Sequence, residues 1–308
     1  MIGNAPMRLP VAGASTLALT AALLGCAGQA RANPPPRAAA SPAAITGQWM
    51  IEQGDKAGTL RLTLQRHTGS RHHHMSSSDV VAASQVRGLD WKQAQSSSGA
   101  AFRFQIQRDA GSFACEGWFR DGKGSGHFTF APSAGFVSDM RALGYGGLTG
   151  EQIFSLAVHD VTRSYVRELA RLGHDRLPYE RLIAMHIHGV SPAYIRELAA
   201  LGHRRLDADK LVAMRIHGVS PEGIRQLAAL GYRGLDEQQL VAMRIHGVSP
   251  ELVRELRAEG YRSVPADKLV AMRIHGVSPD FIRRLRKRGY DKLSVDELIS
   301  LKIHGVAR

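Results

Sequence analysis

Three stretches of the chain carry residue types able to do chemistry. His72, His73 and His74 stand together in HTGSRHHHMSSSD, His67 to Asp79, and neutral imidazole is a common metal ligand. Adjacent residues of one long loop cannot converge on an ion without further donors, and no acid or cysteine is spaced to help. The second stretch, GWFRDGKG at Gly117 to Gly124, has the glycines and Gly-Lys of a phosphate-binding loop, but Gly124 stands where the magnesium-binding Ser or Thr belongs. Trp118 and Phe119 read as strand residues, so a hairpin turn is expected there. No zinc-protease His-Glu pair and no G-x-S-x-G elbow occurs. With no nucleophile assembled beside a base, the expectation is no enzyme, no catalytic residue, no cofactor and no metal site.

The third stretch is Leu23-Leu24-Gly25-Cys26, which follows an uncharged run from Leu9 and resembles a bacterial lipobox. It predicts acylation of Cys26 and a periplasm-facing lipoprotein held to the membrane by its amino terminus. Ala30-Arg31-Ala32 offers a second reading, cleavage after Ala32 and release as a soluble periplasmic protein. An uncleaved anchor over Leu9–Ala30 is a third, weakened by Pro10 and the many small residues. The other cysteine, Cys115, reads as a buried thiol in a strand, so no disulfide framework is expected. The formal charge of +13 is spread along the chain. For an exported protein this suits an acidic protein or an anionic envelope surface as partner, and no nucleic acid.

The elements that would position a binding surface follow from a repeat. LVAMRIHGVSP occurs identically at Leu211–Pro221, Leu240–Pro250 and Leu269–Pro279, and its histidine recurs every 29 residues at His159, His188, His217, His246, His275 and His304. A fixed period of this length marks a stacked array. In the unit Ser220–Val248, Ser220 caps a first helix, Pro221 suits its first turn and Gly231 closes it. Asp236 with Gln239 forms a capping box for a second helix, closed by Gly247. Six such pairs, twelve helices, are expected. Because the second helix reads as apolar nearly all round, it should be squeezed between neighbouring pairs. Its histidine should cap the helix end, and Met185, Met214, Met243 and Met272 should fill the core.

Upstream, period-two alternation at Leu60, Leu62, Leu64, then Phe102, Phe104, Ile106, then Phe128, Phe130 predicts a small antiparallel sheet or barrel of roughly five to seven strands. The fold class is therefore α+β multidomain. Its expected parts are a signal segment at 1–32, a Pro/Ala-rich linker at 33–45, a β domain at 46–131 and a helix-turn-helix repeat solenoid at 133–308.

Five arginines, Arg167, Arg196, Arg225, Arg254 and Arg283, fall on one register opposite the apolar stripe of the first helices. Arg284, Arg286, Lys287 and Arg288 extend the line into the most basic spot of the chain. Glu222, Glu251 and Asp280 precede their arginines by three residues, the spacing of helical ion pairs that leave a guanidinium available. These nine residues form the candidate binding face.

The repeat at His188–His203 resembles the arrays of uncharacterised bacterial envelope proteins and those at the ends of some beta-lactam-sensor antirepressor metallopeptidases. The peptidase motif is missing, so the resemblance implies a docking or sensing module rather than a protease. The function expected is a non-catalytic envelope scaffold that binds a protein or an anionic surface, with a ligand-sensing β module as the alternative.

Overall fold

The computed structural model describes residues 44–68 and 73–305. The described residues form one compact unit. Its first part is a curled sheet made of β1 (Ile45–Gln53), β2 (Thr59–Thr68), β3 (His73–Ala82), β4 (Val86–Arg87), β5 (Ser98–Arg108), β6 (Gly111–Arg120) and β7 (Lys123–Pro132), with a short helix α1 (Trp91–Ser96) before β5. The strand order is β3-β2-β1-β7-β6-β5-β4 and all pairs are antiparallel. Strands β3 and β4 are the two edges, so the sheet is a half-barrel rather than a closed one.

Alternation decides which face is inside. Leu60, Leu62, Leu64, Phe104, Ile106, Phe113, Cys115, Phe128 and Phe130 are all buried, as the period of two requires. Trp49 lies at their centre, its indole N–H shared between the carbonyls of Glu116 (3.2 Å) and His127 (3.1 Å). Gly117 makes room for it, since a Cβ there would sit 2.7 Å from the Trp49 ring. Burial pushes the Cys115 thiol up to about 12, which leaves it protonated and unreactive.

GWFRDGKG is a hairpin: Arg120 pairs Lys123 around Asp121 (φ 51°) and Gly122 (φ 73°), both in the left-handed region that a two-residue turn demands. The long loop expected from His67 to Asp79 is a correction. Strands β2 and β3 pair in continuous register from Thr59 with Ala82 to Thr68 with His73. A polar edge strand shows no apolar alternation, so its backbone pairing was invisible in the sequence. His72 lies outside the described residues.

The second part is α2 (Ala134–Ala142), α3 (Gly150–Val158), α4 (Arg163–Arg171), α5 (Tyr179–Ile187), α6 (Pro192–Ala200), α7 (Ala208–Ile216), α8 (Pro221–Ala229), α9 (Glu237–Ile245), α10 (Pro250–Ala258), α11 (Ala266–Ile274), α12 (Pro279–Lys287) and α13 (Val295–Ile303). These are the six helix pairs that the period implies. Ser191, Ser220, Ser249 and Ser278 each accept the N–H three residues on, and the Asp236–Gln239 capping box is formed. Second helices stack on second helices (α5 on α7, α7 on α9, α9 on α11, α11 on α13) and first helices on first helices, giving two layers. The methionine column, Met185, Met214, Met243 and Met272, is buried between them.

Tyrosines staple one unit to the next. The hydroxyls of Tyr165 and Tyr194 donate to the carbonyls of Val190 and Val219, both at 2.9 Å, while Tyr232 and Tyr261 reach Val264 (2.7 Å) and Leu293 (2.8 Å). Such bonds span units that are 25 or 32 residues apart in sequence, so the helices, short as they are, are held by their neighbours.

Candidate binding face

The first-helix arginines lie in one register, each about half exposed, and each meets carboxylates. Arg167 bonds Asp139 (3.0 Å), Arg196 bonds Glu168 (2.6 Å) and Arg225 bonds Glu197 (2.7 Å), all from the preceding unit. The three helical pairs legible in the sequence also form: Arg225–Glu222 (3.3 Å), Arg254–Glu251 (3.1 Å) and Arg283–Asp280. Arg254 has no partner in the preceding unit because Gln226 stands where the others have an acid. Hydrogen bonds donated to Glu197 and Glu222 hold the Arg225 pKa above its ordinary value, and those donated to Glu259 and Asp280 do the same for Arg283. Exposed pairs of this kind contribute about 0–1 kcal/mol each. They nevertheless answer most of the column's charge.

On α12 the basic residues divide. Arg283 and Arg286 both grip the carboxylate of Glu259, whose side chain is 11% exposed, at 2.9 and 2.6 Å. Arg284 lies over the Phe281 ring at 6.0 Å. Among the described residues Arg284, Lys287 and Arg288 enter no ion pair, so the free charge of this helix is theirs.

The opposite, second-helix layer presents a surface that the sequence reading missed. Ile187, Ile216, Ile245, Ile274 and Ile303 are 52–57% exposed, one per unit at the last turn of the second helix. The second helix is therefore not wrapped on all sides: Leu and Met of LVAMRI are buried, Val and Ala half-buried, and Ile projects into solvent. The histidine that follows each isoleucine is the last, half-helical residue, as at His217 (φ −87°, ψ 7°). Its imidazole is not what satisfies the helix end. The amides of Gly218 and Val219 turn back to Arg215 and Met214, and an arginine of the next unit adds to this. Arg215 Nε donates to the His188 carbonyl (3.3 Å) and Arg273 Nε to that of His246 (3.1 Å). Gly218, at φ 69°, takes the left-handed conformation that favours glycine, and Arg244 Nη2 closes over it, 3.2 Å from where a Cβ would stand.

Arg215, Arg244, Arg273 and Lys302 thus border the isoleucine column. None of them enters an ion pair among the described residues. Arg215 also covers the Tyr194 ring at 4.9 Å and Lys302 the Phe281 ring at 4.2 Å. The signal was in the sequence: an isoleucine with no apolar neighbour at the following position, repeated five times beside a basic residue or His186.

The array departs from its own pattern where it meets the sheet. Asp160 replaces the closing glycine and takes φ 54°, a costly conformation for a residue with a side chain. Its carboxylate meets Arg108 at 2.6 Å, and Arg108, 2% exposed, also holds Asp79 of β3 at 3.2 Å. Nearby, Arg163 at the start of α4 binds Asp109 (2.6 Å) and Asp139 (2.9 Å). Burial drives the pKa of His159 and His186 down, and that of Asp160 up against the pull of Arg108. These contacts join β3, the β5–β6 turn and the first helix pairs into one body.

The chain matches no family model and no curated protein. The surfaces must therefore be interpreted from their own chemistry. Among the described residues no group of three or more His, Cys, Asp or Glu is arranged to hold a metal, and no helix is long and apolar enough to cross a membrane. Cys26 lies outside the described residues. On the solvent face of the sheet, Arg103, Gln105, Glu116, His127 and Thr129 border a shallow groove of about 580 Å³.

Proposed function

We propose that this chain is a non-catalytic cell-envelope protein, tethered by a lipid on Cys26, whose helical array is a binding scaffold for a protein or an anionic envelope surface. The observation that carries the reading is the column of five isoleucines, each more than half exposed, in register along the second-helix layer. Isolated exposed apolar residues need no explanation, whereas a contiguous repeated line marks an interaction surface. The bordering arginines, free of carboxylate partners, add attraction for an acidic or anionic counterpart. The first-helix arginines offer a second, more nearly neutralised strip on the other layer. The likeness of the repeat to envelope arrays supports the same reading.

The experiment is site-specific photo-crosslinking in cells from position 245, compared with position 80 on the sheet edge. The scaffold reading expects one discrete adduct from position 245, lost in the triple variant I187S/I216S/I274S. An adduct that forms equally well in the triple variant refutes it. The groove beside Arg103 and Glu116 favours a second reading, a ligand-sensing β module with the array as transmitter. That reading expects a small molecule whose binding is removed by Arg103→Ala and untouched by the isoleucine variants.

A further inference from the structure

Resting on the scaffold reading, the identity of what lies along the isoleucine column can be taken further, because the column has a period, a charge and a groove. Helices packed side by side are about 8–10 Å apart. Ile187, Ile216, Ile245, Ile274 and Ile303 therefore repeat at roughly that spacing along a line crossing the helices. A polypeptide lying along this line must present an apolar side chain toward it about every 10 Å.

Three conformations can be tested against that requirement. An α-helix advances about 1.5 Å per residue, so a seven-residue step covers about 10.5 Å but turns the stripe by about 20°, roughly 80° over the four intervals of the column. A β-strand covers 10 Å in three residues, but successive third residues point to opposite faces. A polyproline-II chain rises about 3.1 Å per residue with three residues per turn, so every third side chain faces the same way at about 9.3 Å. Only the last keeps both spacing and facing along the whole column without supercoiling.

The groove and the charge agree. Between α9 and α11, Gln238 and Ala242 lie on the same helical stripe as Ile245, and Asp267 and Val270 on that of Ile274. With Met243 and Ala266 they bound a mostly apolar trough of about 300 Å³. It lies toward the helix starts, seven residues before Ile245 and Ile274 on the same stripes, and extends the apolar face inward from the isoleucine column. Arg215, Arg244, Arg273 and Lys302 run beside the column and enter no ion pair among the described residues, while Asp209 and Asp296 at the far ends of the same stripes are paired with Arg181 and Lys268. The guanidinium N–H groups of Arg215 and Arg273 already meet backbone carbonyls at the helix ends, so a polyproline-II backbone, whose carbonyls are all unpaired, offers acceptors of the same kind.

We infer that the second-helix face binds an acidic segment in polyproline-II conformation, with an apolar side chain at every third residue seated against the isoleucine column and carboxylates between them facing the arginines. The chain's own segment at 33–45 does not meet this description: it has prolines, but Arg37 and no acid. The occupant is a second polypeptide.

The test uses the mature full-length protein and three fluorescent fifteen-residue probes read by anisotropy: (Leu-Pro-Glu)5, the same composition with leucine at irregular spacing, and (Leu-Pro-Lys)5, the first of them also at raised salt. The expected result is saturable binding of the regular acidic probe, at least tenfold weaker binding of the irregular and lysine probes, and loss of affinity with salt. I216S/I245S/I274S should weaken binding by more than tenfold with unchanged circular dichroism, since these side chains are already exposed. Equal binding of regular and irregular probes, or of the acidic and lysine probes, overturns the inference. So does binding of phosphatidylglycerol vesicles through the same isoleucines with no binding of any peptide. If peptides fail while the isoleucine variants still lose the cellular crosslink, this inference falls and the scaffold stands. If the crosslink survives those variants, the scaffold reading falls too.

Discussion

Excising one internal unit, Ser220–Val248, tests whether the array is a stack held by neighbour contacts alone. The cut joins Val219 to Ser249, so most severed contacts have a replacement waiting; the exceptions are Lys210, which meets Ala266 in place of Glu237, and the Val264 carbonyl, which meets His203 in place of Tyr232. The staple from Tyr194 to the Val219 carbonyl is retained. Arg254, lacking a partner in the preceding unit, comes to stand where Arg225 stood and gains Glu197. Arg273 takes the place of Arg244 against Gly218. Removed with the unit are the buried side chains Ile224, Leu227, Leu240, Met243 and Val248, and the bond from Tyr232 to Val264. No buried face is newly exposed, because Val253, Leu256, Leu269 and Met272 occupy the matching positions. At the usual 0.05–0.15 kcal/mol per residue, 29 residues account for about 1.5–4 kcal/mol of stability. Urea titration should show that loss, with a denaturant slope lower by about a tenth. Far-UV circular dichroism should lose the signal of two of the twelve array helices. Complete loss of helix would refute the stack and point to a globule held by long-range contacts.

Cys26→Ala should abolish lipid attachment and shift the protein from the membrane to the soluble fraction, with mass spectrometry as the check; unchanged fractionation removes the lipoprotein proposal. Replacing Arg196, Arg225 and Arg254 together by glutamine should cost less than about 1 kcal/mol per pair while abolishing any salt-dependent binding of anionic vesicles through that layer. Intact vesicle binding would make the first-helix column a solvated face only. Burial holds the pKa of His159 and His186 below 6.5. Their neutral forms are favoured by folding, so their stabilising contribution is complete above pH 6.5 and is lost as pH falls through the lower folded values. His186→Gln should accordingly flatten the decline of the thermal midpoint between pH 7 and 5; an unaltered decline refutes that assignment.

The repeat, its caps, the helix pairs and the methionine core were legible because each is written locally: a serine before proline, a glycine at the closing turn, leucine and methionine three apart. The sheet was legible wherever one face is buried, as at Leu60–Leu64 and Phe102–Ile106. Strand β3 was not, because pairing at a polar edge leaves no hydrophobic period. The isoleucine column escaped for a related reason. Six consecutive apolar-looking positions in LVAMRI do not say which side a neighbour will leave uncovered; that depends on how two layers pack. The charge ladder was half legible. The three-residue pairs could be read within a helix, whereas Arg196 to Glu168 requires setting successive units side by side. Asp160 was visible as a break in the His-Gly-Val pattern, but its partner Arg108 is 52 residues upstream and belongs to the sheet.

The inter-unit bonds have a consequence for how such a chain can change its length. The arginine links run back 27 residues and the tyrosine links forward 25 or 32, so a whole unit can be gained or lost with most partners kept, while a single inserted residue would misplace several rungs at once. The three identical eleven-residue stretches are natural sites for unequal recombination between their coding segments. Growth is blocked at the first unit, which Asp160 commits to the sheet. The reach of the isoleucine face is thereby inherited in discrete steps, each adding one further anchor point for whatever is bound along it.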